Sequence, residues 1–168
     1  MKNILVIAPH ADDEILGVGG TISKYIQKSF RVIVLIMTNA GINNKEKFPI
    51  KLIKKIRKEC LNANKSLGVK KLFFYDFPAL KLDHSYIAEI ADVINQKIID
   101  YKPHKIFIPN GNDIHTDHVI IHEACLVACR PIEKFKIKEV LSYETLSETE
   151  WGKVQFHPNK FEILNKNN

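Results

Sequence analysis

Five short apolar runs punctuate the chain, at residues 3–8 (NILVIA), 31–37 (RVIVLIM), 71–75 (KLFFY), 105–109 (KIFIP) and 137–143 (IKEVLSY). The near-continuous runs are the pattern of strands buried on both faces, as in a parallel sheet. Between them lie segments whose apolar residues recur at helical spacing. Residues 14–28 repeat Ile15, Val18, Ile22 and Ile26, and residues 49–66 turn Ile53, Ile56, Cys60 and Ala63 inward, with Leu67 behind them. Gly68 is a good stop signal for the second of these helices. Residues 85–100 carry Ile87, Ile90, Val93, Ile94 and Ile98, and residues 118–129 form a fourth helical segment. Polar loops are expected at 38–48, 76–82 (with Pro78) and 111–117. The chain beyond the fifth run reads as irregular, with a frayed Asn-rich end.

Strand and helix thus alternate throughout, with no linker, low-complexity segment or short repeat. The alternation predicts one α/β domain over residues 1–168, a Rossmann-like three-layer αβα sandwich with right-handed crossovers. The usual strand order for such a chain is 3-2-1-4-5. The order reverses between strands 1 and 4, and ligands bind there, beyond the carboxyl ends of the strands.

Two clusters of ionisable residues follow those two strands. One is His10-Ala11-Asp12-Asp13-Glu14; the other runs from Asn112 and Asp113 through His115, Thr116, Asp117 and His118. Gly17, Gly19 and Gly20 suggest a dinucleotide loop, but Ile22 stands where the last glycine of that pattern is needed. The carboxylates in the turn would also repel a pyrophosphate. The glycines fit close helix–sheet packing instead. Asp12, Asp13 and Glu14 on their own could cap a helix. Two such clusters on both sides of a switch point favour a metal. Zinc takes His and Asp ligands, and a catalytic zinc has three protein ligands and an open position for water. His10 and Asp13 could ligate from one turn and His118 from across the crevice, leaving Asp12, His115 and Asp117 beside the ion. Ferrous iron suits the same donors. His122 shares a helix face with His118 and is read as structural.

Composition narrows the picture further. Lys plus Arg number 25 against 19 Asp plus Glu, a net charge of +6 that favours acidic partners over basic ones. No basic stripe with interleaved aromatics supports nucleic-acid binding. No apolar run is long enough to span a bilayer. The first run is too short for a signal-peptide core, so a cytoplasmic protein is expected. Cys60, Cys125 and Cys129 form no CxxC pair and read as buried core thiols.

At these residues the sequence resembles the LmbE-like, or PIG-L, family of metal-dependent N-acetylglucosaminyl deacetylases. PHADDEILGVGG, residues 9–20, resembles the family's opening H-P-D-D-E motif, and HTDH, residues 115–118, resembles its H-x-D-H motif. The resemblance implies His10, Asp13 and His118 as zinc ligands and Asp12 as general base. It implies His115 as the group that polarises the acetyl carbonyl or protonates the leaving amine, with Asp117 orienting it, and Arg57 as a substrate-binding arginine. Ala11 and Thr116 replace prolines common in the family without removing a chemical group. Family members usually run longer than 168 residues, so part of the substrate pocket is expected to be absent or supplied by another subunit of a homo-oligomer. The implied activity is zinc-dependent hydrolysis of the acetamido group of an N-acetylated amino sugar or sugar conjugate, by metal-bound water with an Asp base. The alternative is a catalytically reduced metal- or sugar-binding member of the same fold.

Overall fold

The structure is a computed structural model that describes residues 2–41, 46, 48–131 and 137–166. Part of the expected loop 38–48, residues 42–45 and 47, lies outside the described residues. Five strands, β1 (Asn3–Ala8), β2 (Arg31–Thr38), β3 (Lys71–Phe77), β4 (Lys105–Pro109) and β5 (Glu139–Tyr143), form one sheet in the order β3-β2-β1-β4-β5. Every strand pair is parallel. The expected order and fold class hold.

The alternation of side chains along each strand splits the core into two layers. Leu5, Ile7, Ile33, Leu35 and Met37 face helices α3 (Ile87–Tyr101) and α4 (Thr116–Ala128), meeting Ile90, Ile94, Ile98, Ile121 and Ala124. Ile4, Val6, Val32, Val34 and Ile36 face α1 (Asp13–Gln27) and α2 (Ile50–Leu67), meeting Val18, Ile22 and Cys60. Gly68 ends α2 at φ 87°, a left-handed conformation that suits glycine, and the next amide, of Val69, returns to the Asn64 carbonyl.

Four details differ from the pattern. β3 extends through Phe77, which pairs with Thr38 after a register shift. α4 starts at Thr116 because the side chain of His115 caps it. α1 is interrupted at Val18 (φ −137°, ψ 17°), between Gly17 and Gly19, where small residues make a kink cheap. Residues 152–166 are irregular as expected, yet they are anchored to the domain. Glu162 accepts from the Tyr25 hydroxyl at 2.7 Å and pairs with Lys24, while Leu164 fills the space above Gly20. No helix among the described residues is long and apolar enough to cross a membrane.

Candidate metal centre

The loops after β1 and β4 meet at the carboxyl edge of the sheet, because β1 and β4 are direct neighbours. Three imidazoles converge there. The ring of His10 lies 4.5 Å from that of His115 and 5.2 Å from that of His118, and the last two are 4.9 Å apart. The crevice expected between the two loops is therefore a real juxtaposition of residues more than a hundred positions apart.

Asp13 sits at the first turn of α1, buried at 4% exposure. Its Oδ2 accepts from the His10 amide at 2.8 Å and lies 3.3 Å from both His10 Nδ1 and His118 Nε2. Ligand atoms of His10, Asp13 and His118 all fall within 4.8 Å of one another. One carboxylate oxygen and two imidazole nitrogens, two of the three side chains buried, are a donor set that suits zinc or ferrous iron. His10, His115 and Asp117 form a second such group. In that group, however, the Asp117 carboxylate is already engaged. It accepts from the Leu80 and Leu82 amides at 2.7 and 3.4 Å and lies 3.1 Å from His10 Nε2.

The field at this centre is strongly negative. Burial depresses the His10 and His118 imidazoles, but their carboxylate partners outweigh it. Asp117 and Asp13 raise His10 to about 9, and Asp113 and Asp13 raise His118 to about 10. The same contacts, against the cost of burial, hold Asp13 well below the ordinary carboxylate range. Asp12 faces the cavity without an imidazole bond, and partial burial together with the Asp13 charge lifts its carboxyl. His115 shifts the other way, lowered by burial and by His10 and His118. Its Nδ1 accepts from the Asp117 amide at 3.2 Å. A lone pair is thus required on Nδ1, and the neutral ring carries its proton on Nε2. Asp117 reaches His115 through this backbone N–H, while its carboxylate serves His10 and the loop after β3.

Two members of the clusters were given no part in the metal centre by the pattern. Asp113 is buried, accepts from the His115 amide at 2.9 Å and the Thr149 hydroxyl at 2.8 Å, and lies 3.1 Å from His118 Nδ1. It is the carboxylate behind a candidate ligand histidine, the arrangement that fixes ring orientation at metal sites. Glu14, fully buried, accepts from Asn64 Nδ2 at 2.6 Å and from the Cys60 thiol, tying α1 to α2 directly behind Asp13. His122 lies 2.8 Å from the Pro109 carbonyl through Nδ1, outside both clusters. Arg57 bonds Asp76 and the Tyr75 carbonyl and stacks over Phe74, 5.1 Å away. It is not among the described residues that line the cavity.

That cavity has a volume of about 770 Å³ and opens beside the imidazoles, with His10, Asp12, Asp13 and His115 in its wall. Its size is in the range of small-molecule sites.

Residues 5–129 match the family model described as PIG-L, GlcNAc-PI de-N-acetylase. The chain belongs to the PIG-L family. Among PIG-L relatives, an uncharacterized deacetylase, YaiS, of Escherichia coli K12 is 29% identical over 97% of this chain and 82% of its own length. A probable N-acetyl-alpha-D-glucosaminyl L-malate deacetylase of Bacillus subtilis is 32% identical over 76% of this chain, which spans 60% of that protein. The crystal structure of the conserved protein TT1542 from Thermus thermophilus superposes with a TM-score of 0.72 at 25% identity, covering 94% of this chain and 70% of that one.

Proposed function

We propose that this chain is a zinc-dependent N-deacetylase that hydrolyses the acetamido group of an N-acetylglucosamine-type sugar. The observation that carries this reading is the convergence of His10, Asp13 and His118 within ligand distance of one another, with His10 and Asp13 in the wall of the cavity. The PIG-L membership supports the reaction class, and the Bacillus relative supports the sugar.

His10, Asp13 and His118 would hold the ion. Zinc, when bound, would supply a Lewis acid that polarises the amide and eases deprotonation of water. Asp12, a cavity carboxylate outside the ligand set and next in the chain to the ligand Asp13, takes the proton of the attacking water as its oxygen bonds the amide carbon. His115 Nε2–H donates to the carbonyl oxygen as negative charge develops there, an interaction worth roughly 3–4 kcal/mol per well-placed donor. Asp12 then delivers its proton to the nitrogen as the C–N bond breaks, releasing acetate and the free amine. The neutral tautomer of His115 suits it to oxyanion stabilisation rather than to acid catalysis. Asp117 holds His10 and the lip formed by Leu80 and Leu82.

The test is acetate release from N-acetylglucosaminides by protein of measured zinc and iron content. Asp12→Asn should lower kcat by about 10²–10⁴-fold, the usual weight of a general base, with metal content unchanged. Full activity in that variant would remove Asp12 from the mechanism. A protein that binds metal and sugar but releases no acetate would be a binding member of the family.

A further inference from the structure

Every strand of the sheet is entered through a basic residue. In sheet order these are Lys70 and Lys71 at β3, Arg31 at β2, Lys2 before β1, Lys105 at β4 and Lys138 before β5. All the strands are parallel, so the entries share one edge, opposite the edge that holds the imidazoles. Backbone bonds hold them side by side. The amides of Arg31, His104, Lys138 and Lys70 donate to the carbonyls of Lys2, Asn3, His104 and Val32, each at 2.8 or 3.0 Å. At the usual strand spacing the row is about 20 Å long. Helices α1 and α3 end at the same edge, with Lys28 and Lys102 as their C-caps.

Lysines at helix ends answer the helix dipole. Lys2, Lys71 and Lys138 stand at strand ends, where the net dipole is small. Lys2, Lys28, Lys70, Lys71, Lys102 and Lys138 are all exposed, and the ion pairs of lysine and arginine among the described residues involve none of them. Described carboxylates beside them in the chain are already engaged, Asp100 with Lys97 at 3.2 Å and Glu139 with Lys105 and Lys160. Burial, then the charges of Lys2, Lys138 and Lys105, lower the His104 imidazole within the row, with Glu139 opposing. The field along this edge is therefore positive. A broad row of flexible ammonium groups fits a sheet of anionic headgroups. Ile99, Leu126 and Val127 stand exposed within about a turn of Lys102 and Arg130, and aliphatic neighbours of this kind suit a bilayer interface. Single-stranded nucleic acid is held instead by free aromatic faces. Phe30 packs edge-on against Tyr25, 5.1 Å away, and Tyr101 lies beneath Arg31 at 5.5 Å.

We propose that this edge docks the protein on an anionic lipid bilayer, with the metal cleft facing the aqueous side. The inference stands independently of the deacetylase reading.

Sedimentation with vesicles tests it. The protein should bind vesicles of equal parts phosphatidylglycerol and phosphatidylcholine at least about tenfold more tightly than phosphatidylcholine alone, and added salt should erase the difference. Lys2→Glu with Lys138→Glu, and Lys70→Glu with Lys71→Glu, should each weaken that binding by at least about tenfold, since one lysine near the surface contributes roughly fivefold. Lys51→Glu with Lys54→Glu makes the same change of net charge at the far end of α2, beyond screening distance, and should leave binding within about twofold. Circular dichroism checks the fold of each variant. Equal binding to both vesicles, or an equal loss from the α2 pair, overturns the proposal. So does a higher affinity per phosphate for DNA than for the anionic vesicles, because the row then serves a nucleic acid. A soluble N-acetylglucosaminide should be turned over equally with and without vesicles. Turnover lost on the vesicles would put the cleft against the bilayer and also overturn the proposal. Absence of turnover in both conditions would defeat the deacetylase reading and leave the binding result standing.

Discussion

At the scale of single residues, the site depends on which side-chain atom meets which. That His10, Asp13 and His118 would meet was legible because metal-ligating residue types are few and the turns after neighbouring parallel strands face one crevice. The part played by Asp113 was not, since it rests on a side-chain rotamer that turns the carboxylate toward both the Thr149 hydroxyl and His118 Nδ1. Nothing in sequence spacing distinguishes that carboxylate from one that caps a helix. Replacing it with asparagine keeps the volume and an acceptor but removes the charge facing the imidazole. Asp113→Asn should weaken zinc affinity by about 10–100-fold, the range for losing a carboxylate behind a ligand histidine. Competition with a chromogenic chelator reads this directly, and an unchanged far-ultraviolet circular dichroism spectrum separates it from unfolding. An unaltered affinity would assign Asp113 to the loop alone.

Among the elements, the glycine-rich start of α1 decides how closely the helix carrying Asp13 approaches the sheet. A Cβ on Gly17 would stand 2.3 Å from the Tyr143 ring and 2.9 Å from the Glu144 carbonyl oxygen, so both a side chain and the backbone block it. Tyr143 cannot swing away freely, because its hydroxyl donates to the Ile7 carbonyl at 2.9 Å in the core. Gly17→Ala should therefore destabilise the fold by about 1–3 kcal/mol, as overpacking does, measurable as a lower urea midpoint at unchanged slope. Gly19→Ala is the control, since its nearest neighbour lies at an ordinary 3.6 Å. Close helix–sheet packing was expected of these glycines, and Gly17 shows it; its partner was not legible, because Tyr143 comes from a strand more than a hundred residues away, while Gly20 lies under Leu164 of the last segment. The start of α4 is instead set locally: His115 caps it with an imidazole, a residue type that capping preferences do not favour but that stands at the right place in the second cluster.

For the whole molecule, the order of the sheet was legible because strand alternation and right-handed crossover leave few topologies. The path of the last segment was not, because residues 152–166 have no periodicity and are fixed by single contacts. One of these is a clasp. Glu139 at the start of β5 pairs with Lys105 on β4 and with Lys160 on the returning segment, the latter at 2.7 Å. Bonds to Lys105 and then Lys160, outweighing a small effect of burial, draw its carboxyl from 4.5 down to about 2. A carboxyl with a lowered folded value contributes stability that is fully present above its unfolded value. That contribution is lost progressively as pH falls from 4.5 toward about 2, and below about 2 the group is protonated in both states. Lys105 is shifted upward, burial notwithstanding, by the Glu139 and Tyr25 bonds, so the clasp also weakens only above the ordinary lysine value of 10.5. Between those limits the contribution is flat. Melting curves of wild type and Glu139→Gln should thus run parallel from about pH 5 to 9, with the variant lower, draw together as pH falls below 4.5, and meet only below about pH 2 as the shared protonation removes the difference. Salt should narrow the gap at neutral pH, because the paired groups remain partly open to solvent. A gap that stays constant down to pH 2 would mean that packing, and not the charge of Glu139, joins the returning segment to the sheet.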